Sequence, residues 1–384
     1  MRYRALLRIS VFLLSSSTAY AETATRHISP EELLAGTALL RLDPNPPAIF
    51  SNDEVMALSD EMRAFVDEHV GRRAGDPVKL KQLSDAVFST SIFGLEYDDA
   101  TRTAAETFRV RSGNCLSFTF MFVALARGAG LDARFQEVEI PSEWTFAGGT
   151  PILNRHINIH VDLHLGVLPR KVVDFNIADF KADYDMNIIS DKRALAHFFN
   201  NLGAELLQRG EMTAAFSAFR RAIVENDPSF APAWDSLGTL YSRNGFTNHA
   251  EAAFLQALEL DRSDLTAMNN LTVLYDRSGN SKQAARYRNK VKSHRKRNPY
   301  YRFQLARVAY ALEDYDLAID HLKYAIRRNS DEDRFCALLG MVYLQKGDEI
   351  KSRRWMARAE ELADTDSMKR TYSSKIDRLI SASR

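Results

Sequence analysis

Small residues recur every 34 or 35 positions through the C-terminal half of this 384-residue chain, and this repeat constrains the fold most. Three series of small side chains and one series of turn residues keep the same register over five units. The first small series is Gly203, Gly238, Thr272, Ala306 and Gly340. The turn series is Gly210, Gly245, Gly279, Glu313 and Gly347. The remaining small series are Ala215, Ala250, Ala284, Ala318 and Ser352, and then Ala222, Ala257, Val291, Ala325 and Ala359.

This register predicts stacked pairs of antiparallel helices. Small side chains let two helices approach closely, and a glycine can end the first helix in a left-handed cap. One pair cannot bury its apolar face alone, so successive pairs stack. The pattern resembles the tetratricopeptide repeat family, in five copies over residues 196–366, with residues 367–384 as a capping helix. In the third copy Arg288 stands where its neighbours have Phe254 or Leu322, which predicts an atypical second helix.

The first 21 residues have the features of a secretory signal peptide. A positively charged start precedes a short apolar stretch, and Ala19-Tyr20-Ala21 is a small-x-small cleavage signature. The apolar stretch is too short to span a bilayer. The sequence therefore predicts residues 1–21 as a cleaved signal, and a periplasmic or secreted protein without a membrane span after cleavage.

Composition excludes several classes of protein. A net charge of +1, from 51 basic and 50 acidic side chains, is not that of a basic nucleic-acid-binding chain, and no nucleic acid partner is expected. Two cysteines, Cys115 and Cys336, cannot build a disulfide framework, and Cys336 is expected in the core of a repeat. One segment, 282–302, holds nine basic and no acidic residues, with tyrosines between them. It is interpreted either as a surface for an anionic partner or as a solvated outer helix.

The N-terminal part, residues 22–195, lacks the repeat and changes period along its length. Helical segments are predicted at 51–70, from Asp76 to near Gly94, and from Cys115 to about Ala129. Strands follow at 134–140, 156–165 and 172–175, so this part is predicted to be a helix-plus-sheet domain.

The second of these strands alternates strictly between polar and apolar residues. Its polar face, which carries His156, His160 and His164, is expected to be solvated. In a strand, four residues span roughly 13 Å, so these histidines cannot share one ion. Neither a metal nor another cofactor is predicted.

Three residues in this domain have the order and setting of a nucleophilic triad. Cys115 opens a helix after a Gly-Asn turn, where unpaired backbone N–H groups favour a thiolate and can hold an oxyanion. His156 lies on the polar face of a strand, and Asp174 ends the next strand. Antiparallel neighbours would place Asp174 beside His156 and orient the imidazole.

The residues around Cys115 resemble the bacterial transglutaminase-like superfamily. The stretches that carry the resemblance are Leu95-Glu96-Tyr97, Thr103-Ala104-Ala105-Glu106-Thr107, Arg111-Ser112-Gly113-Asn114-Cys115 and Gly130-Leu131-Asp132-Ala133-Arg134. The resemblance implies an α+β papain-like domain, ahead of the all-α repeat superhelix, with Cys115, His156 and Asp174 as catalytic residues. Asn158 stands where the family commonly has tryptophan. Trp144 is a candidate second oxyanion donor, or else a tryptophan at the rim of a loop.

Two functions follow from these observations. The first is an exported thiol enzyme that acts on amide bonds through a Cys115 thioester, by hydrolysis or acyl transfer, with a protein or peptide substrate docked in the repeat groove. The second is a periplasmic scaffold that uses the repeats and carries a degenerate, non-catalytic domain.

Overall fold

The computed structural model describes residues 28–40, 49–139, 145–147, 150–152, 155–163, 171–173, 185–363 and 368–374. The predicted signal segment 1–21, Trp144 and Asp174 lie outside these ranges, as does the end of the predicted capping helix, of which 368–374 is helical. No helix within these ranges combines the length and apolar character needed to cross a bilayer.

The N-terminal part consists of seven described helices ahead of its main sheet. They are α1 (Pro30–Ala35), α2 (Thr37–Leu40), α3 (Asn52–Met56), α4 (Asp60–His69), α5 (Asp76–Phe88), α6 (Ala104–Val110) and α7 (Cys115–Gly128). The single helix predicted over 51–70 is wrong, because Ser59 caps a new helix by accepting from the N–H of Met62. The extended link between α3 and α4 places Leu58 against Gly128 at the end of α7. The α5 helix also ends earlier than predicted, at Phe88.

A four-stranded antiparallel sheet follows, in the order β7-β6-β3-β8. The described strands are β1 (Glu96–Tyr97), β2 (Ser112–Gly113), β3 (Asp132–Glu139), β4 (Thr145–Ala147), β5 (Thr150–Ile152), β6 (Arg155–Asp162), β7 (Lys171–Val173) and β8 (Asp185–Ile189). The three predicted strands are present as β3, β6 and β7. The sequence missed β8, the β4–β5 hairpin and the short parallel pair β1–β2.

The α7 helix is the centre of the N-terminal core. Eleven of its fourteen residues are buried, which is typical of a helix enclosed on all sides. The ring of Phe120 lies 4.8 Å from that of Phe135 in β3 and 5.5 Å from that of Phe198, in the first repeat helix. The helix that begins at Cys115 is therefore held between the sheet and the repeats.

The five predicted repeats are present as five helix pairs. Their helices are α8 (Asp191–Gln208), α9 (Met212–Arg221, extended by a π-helical turn Ala222–Asn226), α10 (Ala231–Arg243), α11 (Thr247–Leu260), α12 (Leu265–Arg277), α13 (Ser281–Arg297), α14 (Pro299–Ala311), α15 (Tyr315–Arg328), α16 (Asp333–Gln345) and α17 (Glu349–Leu362). The turn residue of every pair has a positive φ, from 60° at Glu313 to 82° at Gly210, as a left-handed cap requires.

In repeats 1, 2 and 5 a glycine at the first small position makes room for a side chain of the paired helix. A Cβ added to Gly238 would lie 2.6 Å from the ring of Phe254, and one added to Gly203 would lie 2.5 Å from the ring of Phe219. The third repeat departs from this arrangement. Its Arg288 side chain is exposed and forms an ion pair with Asp276 at 2.6 Å, although the α13 helix is continuous.

The first repeat is tied to the sheet by a network of partly buried charges. The Glu137 carboxylate in β3 accepts from Nε of Arg193 at 2.8 Å and lies 2.6 Å from Nε2 of His197, both in α8. Arg193 also donates to Asp227 at 2.9 Å, beyond the first helix pair. The α8 helix spans the predicted domain boundary at 195 and 196, so its charges belong to both parts.

The N-terminal segment packs on the first two repeats. The hydroxyl of Tyr241 in α10 donates to the carbonyl of Leu33, and Nε of Arg220 in α9 donates to that of Leu34. Gly36 has a φ of 63° and lies under the ring of Phe216. Buried apolar residues therefore form one continuous cluster from Ile28 through the sheet and the first three repeats.

Repeats 4 and 5 bury separate apolar clusters. The large N-terminal cluster ends with Val291 in α13, and the next begins at Ala306 in α14. A third small cluster joins Cys336 and Ala359 to Tyr372 in the C-terminal helical segment. Cys336 is only 1% exposed, which confirms its predicted place in the core.

Gly238→Ala should lower the free energy of unfolding by up to about 2 kcal/mol. Alanine gains about 1 kcal/mol of helix propensity, but forcing a Cβ against the buried Phe254 ring costs about 1–3 kcal/mol. Chemical denaturation measures the difference. Thr272→Ala is the control, because position 272 already carries a Cβ and the residue in register with Phe254, Arg288, is exposed, so its effect should stay within about 0.5 kcal/mol. Equal effects of the two substitutions would contradict the packing described here.

Glu137→Gln should destabilise the protein by about 3 kcal/mol, because it takes from the partly buried Arg193 one of its two described carboxylate partners and from His197 its described one. Burial raises the pKa of Glu137, but the hydrogen bonds and charges of His197 and Arg193 outweigh it and lower the pKa to about 2 from 4.5. The ionised carboxylate therefore stabilises the fold above pH 4.5, and this contribution is lost as the pH falls through about 2.

Urea unfolding at several pH values between 7 and 2 measures both effects. The variant should show a flatter pH dependence than the wild type in the acid range. Asp191→Asn is the control, because it breaks the more exposed pair between Arg127 and Asp191, which contributes less than about 1 kcal/mol. A loss in Glu137→Gln no larger than in this control would show that the network does not hold the two parts together.

Candidate functional site

Cys115 is the first residue of α7, as the sequence predicts, and its side chain is partly exposed. Asn114 is the N-cap, and its Oδ1 accepts from the backbone N–H of Ser117 at 2.9 Å. This bond satisfies the third N–H group of the helix. The N–H groups of Cys115 and Leu116 come earlier, where a helix offers no intrahelical acceptor. They direct the positive end of the helix dipole toward the Cys115 side chain.

A loop of five residues, 98–102, holds the start of α7 in position. The buried hydroxyl of Ser117 accepts from the N–H of Arg102 at 2.9 Å and donates to the carbonyl of Ala100 at 3.2 Å. The Asn114 amide donates to the Thr101 hydroxyl at 2.9 Å. Both the cap and the first turn are thus attached to the same loop.

The carboxylate of Asp98, the first residue of this loop, binds both the last residue of the loop and the strand before Cys115. It accepts from Nη1 of Arg102 at 2.7 Å and from the hydroxyl of Ser112 at 2.5 Å. The hydrogen bond from Arg102, followed by that from Ser112, lowers the pKa of Asp98 to about 2, against the opposing effect of burial. The N–H of Thr101 donates to Glu205 of α8 at 2.9 Å, so the loop is also attached to the first repeat.

The backbone of β6 just after His156 is held against the first turn of α7. The Thr119 hydroxyl, one turn after Cys115, lies 2.8 Å from the carbonyl oxygen of Cys115 and 3.1 Å from that of Ile157. One hydroxyl therefore bridges Cys115 and Ile157, the residue after His156. Thr119 was not among the predicted site residues. Its signal in the sequence was its place four residues after Cys115, on the same face of the helix.

The strands of the other two predicted triad members are antiparallel neighbours. His156 is opposite Val138 in β3, and Ile159 of the same strand is opposite Val173, the last residue of β7. Asp174 is the next residue along the chain and lies outside the described residues, as does Trp144. Their roles as orienting acid and oxyanion donor stay predictions.

The polar face of β6 is buried at Asn158 and His160, contrary to the solvated face expected. Asn158 is 0% exposed and His160 is 3% exposed. Gln136, opposite Asn158 in β3, is also buried, and its Oε1 has no hydrogen-bond partner among the described residues. The alternating pattern identified the strand but not the burial of both faces. Among the residues described, no group of three or more histidine, cysteine or acidic side chains could hold a metal ion.

Tyr97 is a further residue of the site that the sequence analysis did not assign. It lies in β1 opposite Gly113, two residues before Cys115. Burial, and next the charge that the Cys115 thiol carries when ionised, raise the pKa of Tyr97 above its usual value. The signal for Tyr97 in the sequence was its place in Leu95-Glu96-Tyr97, one of the stretches that precede Cys115.

The segment 282–302 forms α13 and the first turn of α14. Most of its basic side chains are exposed, and Arg288 pairs with Asp276. Tyr287, between them, is buried in the repeat and stacks on Tyr275. This tyrosine belongs to the helix packing, while the cations face outward.

Family models match both parts of the chain. The model of the transglutaminase-like superfamily matches residues 63–165, which include Cys115 and His156. Two tetratricopeptide repeat models match residues 231–264 and 303–367, which correspond to repeats 2, 4 and 5.

Two curated proteins of Schizosaccharomyces pombe are similar to part of the chain. The general transcriptional corepressor ssn6 is 32% identical over 80 residues, which is 21% of this chain and 7% of that protein. Anaphase-promoting complex subunit 3 is 26% identical over 143 residues, which is 37% of this chain and 21% of that protein. The chain thus spans less than a quarter of the length of either relative.

Solved structures are similar over about half of the chain. YrrB, a tetratricopeptide repeat protein with an unusual peptide-binding site, is 17% identical and covers 47% of this chain and 92% of its own, with a TM-score of 0.25. Pseudomonas aeruginosa pilF is 15% identical, and the match covers 50% of this chain and 94% of that protein, with a TM-score of 0.27.

Asn114→Ala should slow the alkylation of Cys115 and cost about 1 kcal/mol of stability, because it removes the cap that fixes the first turn of α7. Asn114→Ser, which keeps a capping oxygen, should recover most of the stability. Ser190→Ala is the control, since it removes the cap of a different helix, α8. Alkylation with iodoacetamide at fixed pH measures reactivity, and an equal slowing in Ser190→Ala would mean that the cap acts only through global stability.

Proposed function

We propose that this chain, in which a transglutaminase-like domain precedes tetratricopeptide repeats, is an exported thiol enzyme that acts on amide bonds of a protein or peptide. One observation carries the proposal. The Thr119 hydroxyl contacts the carbonyls of both Cys115 and Ile157, so the start of α7 adjoins the strand of His156. A partly exposed thiol at a helix N-terminus, close to a strand that carries a histidine, is what an activated cysteine nucleophile requires.

The proposed reaction proceeds through a thioester. His156 takes the proton from Cys115, and Sγ attacks the carbonyl carbon of the amide. The tetrahedral oxyanion is stabilised by the N–H groups at the start of α7, with Trp144 as the proposed second donor. His156 then gives its proton to the departing amine as the C–N bond breaks.

Water or a second amine completes the cycle. His156 removes a proton from this acceptor, which attacks the thioester carbon, and the thiolate leaves and is reprotonated. Water gives hydrolysis and an amine gives acyl transfer. Asp174 is proposed to hold the imidazole in the orientation that both proton transfers require.

Repeats of this family form a protein-interaction domain, and in this chain repeats 3 to 5 suit that role best. The first repeat packs on the sheet through Phe198 and Arg193, and the second holds Leu33 of the N-terminal segment. Their surfaces are therefore partly used within the chain. We propose that a protein or peptide substrate docks on the later repeats and is presented to Cys115.

The alkylation rate of Cys115 as a function of pH tests the catalytic proposal. At pH 6 the wild type should react at least about tenfold faster than a free thiol with a pKa of about 8.5. His156→Ala should lose this advantage, because the thiolate is no longer paired with an imidazolium.

Cys336 supplies the internal control for this measurement. Burial raises the pKa of the Cys336 thiol to about 11, so Cys336 should stay unlabelled and Cys336→Ser should leave the rate unchanged. A slow reaction that rises only near the pKa of a free thiol would contradict the proposal and favour a non-catalytic scaffold. If the thiol reacts as proposed, a second assay measures turnover of peptide amides by the wild type. Turnover that is lost in Cys115→Ala would show that the reactive thiol also catalyses hydrolysis.

A further inference from the structure

Repeat 4 carries a charge where earlier repeats carry apolar side chains. Phe199, Trp234 and Met268 occupy equivalent positions in α8, α10 and α12 and are all buried. The equivalent residue in α14 is Arg302, whose guanidinium carbon lies 4.7 Å from the ring centroid of Tyr324 in α15. This position lies in the interval between the cluster that ends at Val291 and the one that begins at Ala306.

Two more guanidinium groups surround the same tyrosine. The guanidinium carbons of Arg328 and Arg327 lie 5.7 and 5.9 Å from the centroid of Tyr324. Within the part of the chain that the structure describes, none of these three arginines forms an ion pair with a carboxylate. Three like charges thus converge on one ring, an arrangement that an oxyanion would stabilise.

Helix electrostatics account for only part of this cluster. Arg327 and Arg328 lie in the last turn of α15, where cations are favoured by the helix dipole. Arg302 lies in the first turn of α14, where the dipole disfavours a cation and where no acidic residue is present. The dipole of its own helix therefore disfavours Arg302, which the carbonyl of Lys296 at the end of α13 and the ring of Tyr324 hold in place.

The surroundings add positive charge on the same side of the repeat junction. Nε of Arg302 donates to the carbonyl of Lys296, in the basic last turn of α13. Nη1 of Arg302 lies 3.1 Å from Nδ1 of His321. Burial, and next the charge of Arg302, lower the pKa of His321, while Asp320 opposes them. Because a guanidinium can only donate, Nδ1 of His321 is the acceptor.

We propose that Arg302, Arg327 and Arg328 form a binding site for a phosphate group at the junction of repeats 3 and 4. A guanidinium offers two parallel N–H donors that match phosphate oxygens, and several such groups match the several terminal oxygens and double charge of a phosphate. A carboxylate would engage one fork and leave the other charges uncompensated. The site is independent of the chemistry at Cys115.

A charge-matched pair of variants tests the site in the full chain. R327Q/R328Q removes two cations beside Tyr324. R286Q/K290Q removes two exposed cations beside Tyr287, which lie 5.7 and 5.1 Å from that ring. Calorimetric titration with inorganic pyrophosphate should show at least about tenfold weaker binding in R327Q/R328Q and less than about twofold weaker binding in R286Q/K290Q.

Equal weakening in the two variants would overturn the proposal, because it would mean diffuse attraction to a basic surface. An unchanged thermal unfolding midpoint in both variants establishes that neither effect comes from misfolding. In the wild type, saturating pyrophosphate should also raise the pKa of His321, followed by NMR, because the anion offsets the charge of Arg302. An unchanged His321 titration would overturn the location of the site.

Vesicles distinguish the source of the phosphate. Co-sedimentation with phosphatidylglycerol but not phosphatidylcholine vesicles, reduced in R327Q/R328Q and blocked by pyrophosphate, would support a lipid headgroup at this site. Pyrophosphate binding without vesicle binding would support a soluble phosphate-bearing partner. Failure of the wild type to bind either probe would overturn the proposal.

Discussion

The Glu137 carboxylate is the interaction on which the relation between the two parts of the molecule depends. It draws Arg193 and His197 of the first repeat onto β3, and Arg193 continues to Asp227. Removing charges from water is costly, so such a network persists only where apolar packing supports it. Here Phe120 provides that support, because its ring contacts both the sheet and α8. The first repeat is consequently a layer of the N-terminal core as well as the start of the repeat array.

This arrangement connects the start of α7, where Cys115 lies, to the repeats. The loop that holds Ser117 and Asn114 is itself held by Glu205 of α8, through the N–H of Thr101. The start of α7 is thus fixed by its cap, by the loop and by the first repeat together. Rigid placement of a reactive group by packed neighbours is what preorganises a site for a developing oxyanion. The geometry around Cys115 therefore follows from the same contacts that join the two parts.

Local sequence signals predicted most of the helices and strands. The features that they did not predict depend on contacts between residues far apart in the chain. The repeat register identified all five helix pairs, because a small residue and a positive-φ turn act within one pair. The start of α7 at Cys115 was likewise encoded by Asn114 as its cap. Alternation identified β6, but not the burial of His160, since what covers a sheet face comes from elsewhere in the chain. The cation at position 302 was visible in the sequence, whereas its convergence with Arg327 and Arg328 required the pairing of α14 with α15.

The interruption of apolar packing at Arg302 bears on how the molecule unfolds. Stability in a repeat array is a sum of the stability of each unit and of its interfaces with its neighbours, so a weak interface divides the array into cooperative blocks. The block that contains repeats 1 to 3 shares its core with the sheet, whereas repeats 4 and 5 have cores of their own. The C-terminal block can therefore open and close while the sheet and the Cys115 helix stay folded. Amide exchange in α14 to α17 would then report a lower opening free energy than exchange in α7, and the start of α7 at Cys115 would be insulated from fluctuations in the last two repeats.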